Sequence, residues 1–168
     1  MKKIGFIGIG LMGLPMAKNL LKAKYEIKAF NRTIKKAEPL KEFGANISHS
    51  IKEVVLNNDV IITMLTDDSS VDQVMKDKDF LENIKPGSNV IDMSSVKPET
   101  AKFHGENLKS KNINYLDAPV SGGTIGAEKA TLAIMVGGEQ KVFDDNIDVL
   151  KAMGNPTLVG PLSSGQVS

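Results

Sequence analysis

Short apolar segments alternate along this chain with longer segments in which apolar residues recur every three or four positions. The first apolar segment runs from Ile4 to Ile7, and the segment from Leu14 to Lys24 follows it with its apolar residues on one predicted helix face. Further strands are predicted at residues 26–30, 59–65, 88–93, 113–117 and 132–136, and further helices at 33–43, 97–110 and 139–153. This alternation is typical of parallel βαβ units, so we expect an α/β fold with a doubly wound, mostly parallel sheet.

The length of the chain fits one domain. At 168 residues, 41% of them hydrophobic, a folded chain buries roughly 70% of its unfolded surface. We expect residues 1–161 to form that domain. Residues 159–166 are rich in Gly, Pro and Ser, as linkers are, so residues 162–168 are predicted to begin a segment that leaves the domain.

Charge and cysteine content exclude several classes of function. Lys and Arg number 21 and Asp and Glu number 20, so no strongly basic surface is expected to bind nucleic acid or an anionic membrane. Because the sequence has no cysteine, disulfides, zinc-thiolate sites and cysteine nucleophiles are excluded. The apolar runs are far shorter than the ~20 residues of a membrane-spanning helix. We therefore expect a cytoplasmic protein with neither a nucleic-acid nor a membrane partner.

A loop of the form Gly-x-Gly-x-x-Gly lies between the first predicted strand and the first predicted helix, at Gly8, Gly10 and Gly13. Gly8 is expected to allow the tight turn, Gly10 to let the backbone approach a diphosphate, and Gly13 to let the helix pack closely on the strand. The helix N-terminus adds free N–H groups and the positive end of a dipole. In this context the loop predicts a dinucleotide site rather than a glycine turn without a ligand.

The residues after the second predicted strand bear on which dinucleotide binds. A carboxylate there would accept hydrogen bonds from the ribose 2′-hydroxyl of NAD, but the sequence reads Asn31, Arg32, Thr33. Arg32 can pair with the 2′-phosphate of NADP, and Thr33 can add a hydroxyl or cap the next helix. We expect NADP to be preferred and NAD to be possible, whereas an Arg32 that is only a solvated loop residue would leave the choice open.

A second polar cluster, Ser121 to Gly123, follows the strand predicted at residues 113–117. Ligands of open α/β sheets bind beyond the carboxyl ends of the strands, so this loop is expected on the cofactor's side. A serine hydroxyl beside unobstructed N–H groups can hold a carboxylate or a carbonyl oxygen, although Ser-Gly-Gly is also a common flexible turn. Ser94 and Ser95 end the preceding strand and can meet the nicotinamide half of a cofactor or cap the helix that begins near Pro98.

Other polar residues carry weaker signals. His49 and His104 are isolated in the sequence, so each is interpreted as an ordinary surface or helix histidine. Asp67 and Asp68 follow an apolar run without a third ligand nearby, and they are interpreted as a turn and a helix N-cap. No metal site is predicted.

Together these motifs resemble those of the β-hydroxyacid dehydrogenase family, which includes 3-hydroxyisobutyrate dehydrogenase and tartronate semialdehyde (2-hydroxy-3-oxopropionate) reductase. The resemblance covers essentially the whole chain. It is carried by residues 4–8, 13–20, 31–33, 92–95, 117–123, 126–132 and 135–138.

The resemblance implies an NAD(P)-binding Rossmann domain, followed by a helical domain that completes the active site and mediates dimerisation. It implies reversible hydride transfer between the nicotinamide and a short 3-hydroxy acid or its semialdehyde. The substrate carboxylate is expected on Ser121, Gly122 and Gly123. The cofactor is expected on Gly8, Gly10, Leu11, Met12, Gly13, Asn31, Arg32, Thr33, Met64, Leu65 and Ser95.

The sequence departs from the family's pattern at three places. Lys24 and Ala130 stand where the family usually has glycine. The family's Gly-x-Gly-Gln/Asn-x-x-Lys segment opens an interdomain helix, and its lysine is the general acid/base. Residues 163–168 fit that segment as far as the position before the lysine, which is expected just after Ser168. No catalytic residue is therefore assigned here, and we expect a truncated dehydrogenase with little turnover.

Two other functions stay open at this point. One is a stand-alone nucleotide-binding or partner-binding module without catalysis. The other is a relative of the imine reductases, which share the cofactor domain but replace the lysine; the segment from Asp117 to Gly123 argues against it. The sequence does not choose among methylmalonate semialdehyde, tartronate semialdehyde, succinate semialdehyde and glyoxylate.

Overall fold

The computed structural model describes residues 1–167. The strands within them are β1 (Lys3–Ile7), β2 (Glu26–Phe30), β3 (Asn46–Ile47), β4 (Val60–Thr63), β5 (Asn89–Asp92), β6 (Asn114–Asp117), β7 (Val120–Ser121), β8 (Leu132–Gly137) and β9 (Gly154–Gly160). The α-helices are α1 (Gly13–Lys22), α2 (Ile51–Val55), α3 (Asp68–Met75), α4 (Lys78–Asn83), α5 (Pro98–Lys109), α6 (Gly123–Lys129) and α7 (Gln140–Lys151). Three 3-10 helices lie at Ile34–Lys36, Glu38–Phe43 and Ser164–Val167.

All the described strands belong to one sheet in the order β3-β2-β1-β4-β5-β6-β8-β7, with β9 paired to β8. The pairs from β3 to β6 are parallel, and so is the pair of β8 with β9. Strand β8 runs antiparallel to both β6 and β7. The predicted α/β fold with a mostly parallel sheet is therefore confirmed, and the reversal at β8 is a feature that strand patterns alone do not specify.

Helices cover both faces of the sheet, and this explains the nearly continuous apolar runs of its central strands. On β4, Val60 and Ile62 enter one hydrophobic core, which α1 and α7 complete. The intervening Ile61 enters the second core, which α2, α3, α4 and α5 complete. Every residue of β4 is buried as a result.

The segment predicted as one helix from 33 to 43 is instead two 3-10 helices. Pro39 occupies the start of the second one, where its ring fixes φ and its missing N–H cannot continue an α-helical ladder. Gly44 ends the segment in the left-handed region with φ of 102°, as predicted.

The end of the chain is more ordered than its linker-like composition indicates. Residues Gly154–Gly160 form β9, and Gly165 is buried within the 3-10 helix that follows. Ser168, the last position of the predicted interdomain segment, lies outside the described residues. The domain boundary at residue 161 stays a prediction.

Asp67 accepts a hydrogen bond from the backbone N–H of Ser70 at 2.8 Å and caps α3, as predicted. His104 is on α5, which agrees with its interpretation as a helix histidine, and its side chain is buried. Its Nε2 lies 2.6 Å from Asp72 Oδ1, and this contact ties α5 to α3. His49 is exposed.

Candidate functional site

The carboxyl ends of five neighbouring strands are aligned. Ile7 is the register partner of both Phe30 and Thr63, Thr63 is the partner of Asp92, and Asp92 is the partner of Asp117. Each of these residues directly precedes, or lies within four positions of, one of the segments predicted to bind cofactor or substrate. The sheet therefore brings the predicted segments to one edge, as the parallel topology requires.

Two of the three glycines in the first loop are required by the packing of the protein itself. Gly8 has φ of 105°, and a Cβ atom there would overlap the carbonyl oxygen of Met64. A Cβ atom on Gly13 would overlap the carbonyl oxygen of Gly8. These contacts hold the tight turn and the close approach of α1 to β1 that the sequence predicts.

The middle glycine is different because it faces open space. Apart from its two neighbours in the chain, no atom of residues 1–167 lies within 4 Å of the position that a Cβ atom would take on Gly10. The N-terminus of α1 follows at Met12, and no side chain caps it. A backbone surface without side-chain cover at an uncapped helix end is suited to a diphosphate. This part of the molecule therefore fits the dinucleotide that the loop predicts.

A cavity of about 370 Å³ lies beside this loop, between β2 and α3, and we call it the α3 cavity. Six of the residues predicted to bind cofactor line it, and Lys36, Ser70, Gln73 and Val74 complete much of its wall. The six are Gly8, Gly10, Asn31, Arg32, Met64 and Leu65.

Two positively charged side chains line the α3 cavity, and the nearby carboxylates accept hydrogen bonds from helix N-termini. Arg32 Nη2 donates to Gln73 Oε1 at 2.8 Å, and Lys36 lines the same wall. Asp77 also lines the cavity, but its Oδ1 accepts from the backbone N–H groups of Asp79 and Phe80 in the first turn of α4. The hydrogen bonds from Ser70 hold the pKa of Asp67 below its usual range, and the charge of Arg32 acts in the same direction.

Asn31 braces the glycine loop. Its Oδ1 accepts from the backbone N–H of Ile9 at 2.8 Å, and its Nδ2 donates to the carbonyl oxygen of Thr33 at 3.0 Å. Thr33 precedes the 3-10 helix Ile34–Lys36 without capping it through its side chain. The direct contacts of Asn31 and Thr33 with a cofactor stay predictions.

A second cavity, of about 670 Å³, lies on the other side of the glycine loop between α1 and α6, and we call it the α1 groove. Gly10 and Leu11 line it together with Thr124 and Glu128 from α6. Leu11 is 85% exposed. The two cavities meet at Gly10, so a ligand lying across the loop can reach both.

The predicted substrate loop reaches the α1 groove through its next residue, Thr124. Ser121, Gly122 and Gly123 are themselves exposed. Gly122 has φ of 138° and Gly123 has φ of 62°, and both values favour glycine over residues with a side chain. Apart from its chain neighbours and the backbone of its own helix, no atom of residues 1–167 lies within 4 Å of a Cβ position on Gly123, so this position is open to a ligand.

The two serines after β5 have different roles. Ser94 is buried, and its Oγ accepts from the backbone N–H of Leu65 at 2.8 Å. Ser95 is exposed. Neither serine caps α5, which begins after Lys97. Asp68 supplies the acceptor there instead, for the Lys97 N–H at 3.0 Å and the Thr100 hydroxyl at 2.7 Å.

A pair of buried carboxyl groups lies under the site. Complete burial raises the pKa of Asp92 to about 6, although hydrogen bonds from Ser94 and Thr63 act in the opposite direction. Burial also raises the pKa of Asp117, against the backbone N–H groups that donate to it. Burial, with the charges of both carboxylates, raises the pKa of Tyr115 well above its usual value. In the sequence, both aspartates are recognisable only as parts of the motifs at residues 92–95 and 117–123.

Among residues 1–167 there is no group of three or more His, Asp or Glu side chains placed to hold a metal ion. No helix in that range combines the length and apolar character needed to cross a bilayer.

Comparison with known proteins identifies the family. Residues 3–160 match the family described as the NAD binding domain of 6-phosphogluconate dehydrogenase. The chain belongs to this family.

Relatives within this family extend well beyond the part that the chain matches. An uncharacterised oxidoreductase of Bacillus subtilis is 43% identical over 167 residues, which are 98% of this chain and 58% of that protein. The NAD-dependent L-serine dehydrogenase of Pseudomonas aeruginosa is 39% identical over 170 residues, with 100% of this chain and 57% of that protein covered. The chain thus spans less than three fifths of the length of these relatives.

A solved structure of a similar protein has the same fold. The 3-hydroxyisobutyrate dehydrogenase of Mycobacterium tuberculosis with L-serine superposes with a TM-score of 0.95 at 34% identity, over 99% of this chain and 57% of that one. The predicted resemblance to the β-hydroxyacid dehydrogenases and the Rossmann-type fold are therefore confirmed.

Proposed function

We propose that these residues are the NADP(H)-binding domain of an oxidoreductase that transfers hydride between the nicotinamide and a short 3-hydroxy acid or its semialdehyde. The observation that carries the proposal is the open backbone of Gly10 between two packed glycines, at the uncapped start of α1. The diphosphate would lie there, with the adenosine in the α3 cavity and the nicotinamide toward Ser95. A bound dinucleotide supplies the hydride acceptor or donor.

Preference for NADP is supported by the cations beside the α3 cavity. Arg32 and Lys36 are both exposed there and can each approach a 2′-phosphate. No carboxylate follows β2 to accept hydrogen bonds from a 2′-hydroxyl, because Asn31 occupies that position. Because one relative is named as an NAD-dependent enzyme, the affinities for NADPH and NADH are both to be measured.

The proposed substrate class follows from the loop at Ser121 to Gly123. Its hydroxyl and open backbone suit a carboxylate at the mouth of the α1 groove. L-serine and 3-hydroxyisobutyrate, which appear in the names of the relatives, share a carboxylate and a primary hydroxyl two carbons away. We propose that the substrate has this arrangement and that its primary alcohol is the group oxidised.

The first experiment is a calorimetric titration of the chain with NADPH and NADH, repeated with Gly10→Ala and Gly13→Ala. Gly10→Ala should fold with an unchanged melting temperature and lose at least about tenfold in affinity, since its methyl group meets only the ligand. Gly13→Ala should lose stability because its methyl group overlaps Gly8. A Gly10→Ala variant that binds both dinucleotides as the wild type does would contradict the proposed diphosphate position.

We further propose that the 168 residues alone bind the cofactor but transfer hydride slowly. The substrate loop is exposed, so an alkoxide forming there would lie in water rather than opposite a fixed donor. The measurement is the rate of 3-hydroxyisobutyrate oxidation by this chain and by the same chain extended with the helical domain of a relative. Equal rates would contradict the proposal.

A further inference from the structure

The side-chain amide of Gln166 holds the two peptide groups on either side of Ser95. Its Nε2 donates to the carbonyl oxygen of Ser94 at 2.9 Å, and its Oε1 accepts from the backbone N–H of Val96 at 3.1 Å. Ser94 and Val96 are buried, whereas Ser95 between them is exposed. The amide therefore fixes the backbone on both sides of Ser95, and the residue itself stays exposed.

The opposite side of this loop is also fixed. The backbone N–H of Ser94 donates to Asp92 Oδ1 at 3.1 Å, and the same oxygen accepts from the Thr63 hydroxyl at 2.9 Å. Ser94 Oγ in turn accepts from the backbone N–H of Leu65. Leu65 lines the α3 cavity, so this wall of the proposed adenosine site is held by a hydrogen bond to Ser94 that does not involve Gln166.

Gln166 is itself anchored at the start of the substrate loop. Its backbone N–H donates to Asp117 Oδ2 at 3.2 Å, and the backbone N–H of Ser163 donates to Asp117 Oδ1 at 2.7 Å. A Cβ atom on Gly137 would lie 2.6 Å from Asp117 Oδ1, so the lack of a side chain there makes this approach possible. Asp117 immediately precedes the segment that leads to Ser121.

We propose that Gln166 is a positioning residue that presents the Ser95 hydroxyl to the nicotinamide half of the dinucleotide. The inference rests on the proposed function. It adds a residue that would contact neither cofactor nor substrate and would act through Ser95. Its effect falls on one half of the cofactor, because its bonds end at the loop of Ser95 while the adenosine half is held by the α3 cavity.

The test compares the intact dinucleotide with a fragment that lacks the nicotinamide. NADPH and 2′,5′-ADP are titrated into the wild type, Gln166→Ala, Gln166→Glu and the control Gln140→Ala, whose side chain bonds to Asp144 on the surface. Gln166→Ala should bind NADPH about tenfold more weakly, the loss of one well-placed hydrogen bond, and bind 2′,5′-ADP normally. Gln166→Glu keeps the acceptor for Val96 but places a carboxylate oxygen without a proton against the carbonyl oxygen of Ser94, so its loss should be of the same kind and at least as large.

A double-mutant cycle with Ser95→Ala separates positioning from general stability. If Gln166 acts through Ser95, then Gln166→Ala should weaken NADPH binding no further in the Ser95→Ala background. Additive losses, equal losses for NADPH and 2′,5′-ADP, or unchanged NADPH binding in Gln166→Ala and Gln166→Glu would each overturn the inference and leave the proposed function intact. A wild type that binds neither compound would overturn the proposed function, and the inference with it.

Discussion

Asp92 and Asp117 are register partners on the adjacent parallel strands β5 and β6, and neither side chain is exposed to solvent. They occupy the last positions of their strands, directly below the two loops that the proposed function assigns to cofactor and substrate. Burial raises the pKa of both carboxyl groups. Ionising either of these two carboxyl groups beneath the site is therefore less favourable than ionising an exposed carboxyl group.

This pair predicts an unusual dependence of stability on pH. Burial raises the pKa of Asp92 from its ordinary 3.8 to about 6 in the folded chain, so the folded state binds more protons than the unfolded state between these values. The free energy of unfolding should therefore fall as the pH rises from about 4 to about 6, by about 2 kcal/mol from this residue. Asp117 should act in the same direction. Urea unfolding at a series of pH values measures the slope.

Asp92→Asn should reduce that slope, since the amide oxygen still accepts from Thr63 and Ser94 but carries no charge. Asp67→Asn is the matched control. The pKa of Asp67 is lowered, so its contribution to the free energy of unfolding changes below pH 3.8. Its replacement should therefore leave the dependence of stability on pH between 4 and 6 unaltered. An Asp92→Asn variant with the wild-type slope would show that Asp92 is ionised without cost.

Arg32 should determine the choice between the two dinucleotides. Arg32→Ala removes a charge-assisted hydrogen bond to a 2′-phosphate, so the affinity for NADPH should fall about tenfold or more while that for NADH changes little. Calorimetric titration with each dinucleotide gives the ratio. Gln73→Ala is the control because it removes the partner of Arg32 at 2.8 Å but keeps the charge. If Arg32→Ala and the wild type had the same ratio of NADPH affinity to NADH affinity, Arg32 would not bind the 2′-phosphate.

Ser121 should contribute to carboxylate binding without affecting the cofactor. Ser121→Ala removes a hydroxyl donor, and a hydrogen bond to a charged group is worth about 1.5–3 kcal/mol, so the affinity for 3-hydroxyisobutyrate should fall at least about tenfold. NMR titration in the presence of saturating NADPH measures it. Ser110→Ala, whose hydroxyl bonds to Asn107 at the end of α5, is the control. Equal affinity in wild type and Ser121→Ala would contradict the proposal that Ser121 binds the substrate carboxylate.

The sheet and the glycine loop were predictable because both depend on local patterns. The predicted bounds of the second strand coincide with β2 (Glu26–Phe30). The third was predicted as 59–65, but β4 ends at Thr63 and the next two residues line the α3 cavity. Apolar residues that line a cavity have the same pattern as apolar residues in a core, so hydrophobicity cannot separate them.

Contacts between distant positions were not predictable. Arg32 meets Gln73, and Gln166 meets Val96 across 70 positions. Lys36 lines both cavities, yet in the sequence it is an ordinary charge in the first turn of the helix predicted at residues 33–43. Likewise, Ser121 pairs with Ala133 in an antiparallel bridge that a two-residue strand gives no signal for. Topology alone brings these residues together.

The two hydrogen bonds of Asn31 have a consequence for protein engineering. A carboxylate introduced at this position to attract an unphosphorylated ribose could still accept from Ile9, but it would face the carbonyl oxygen of Thr33 without a proton to donate. The substitution would push apart the turn it was meant to exploit. Altering coenzyme choice in this scaffold therefore requires redesigning Asn31 and the backbone of Thr33 as one unit.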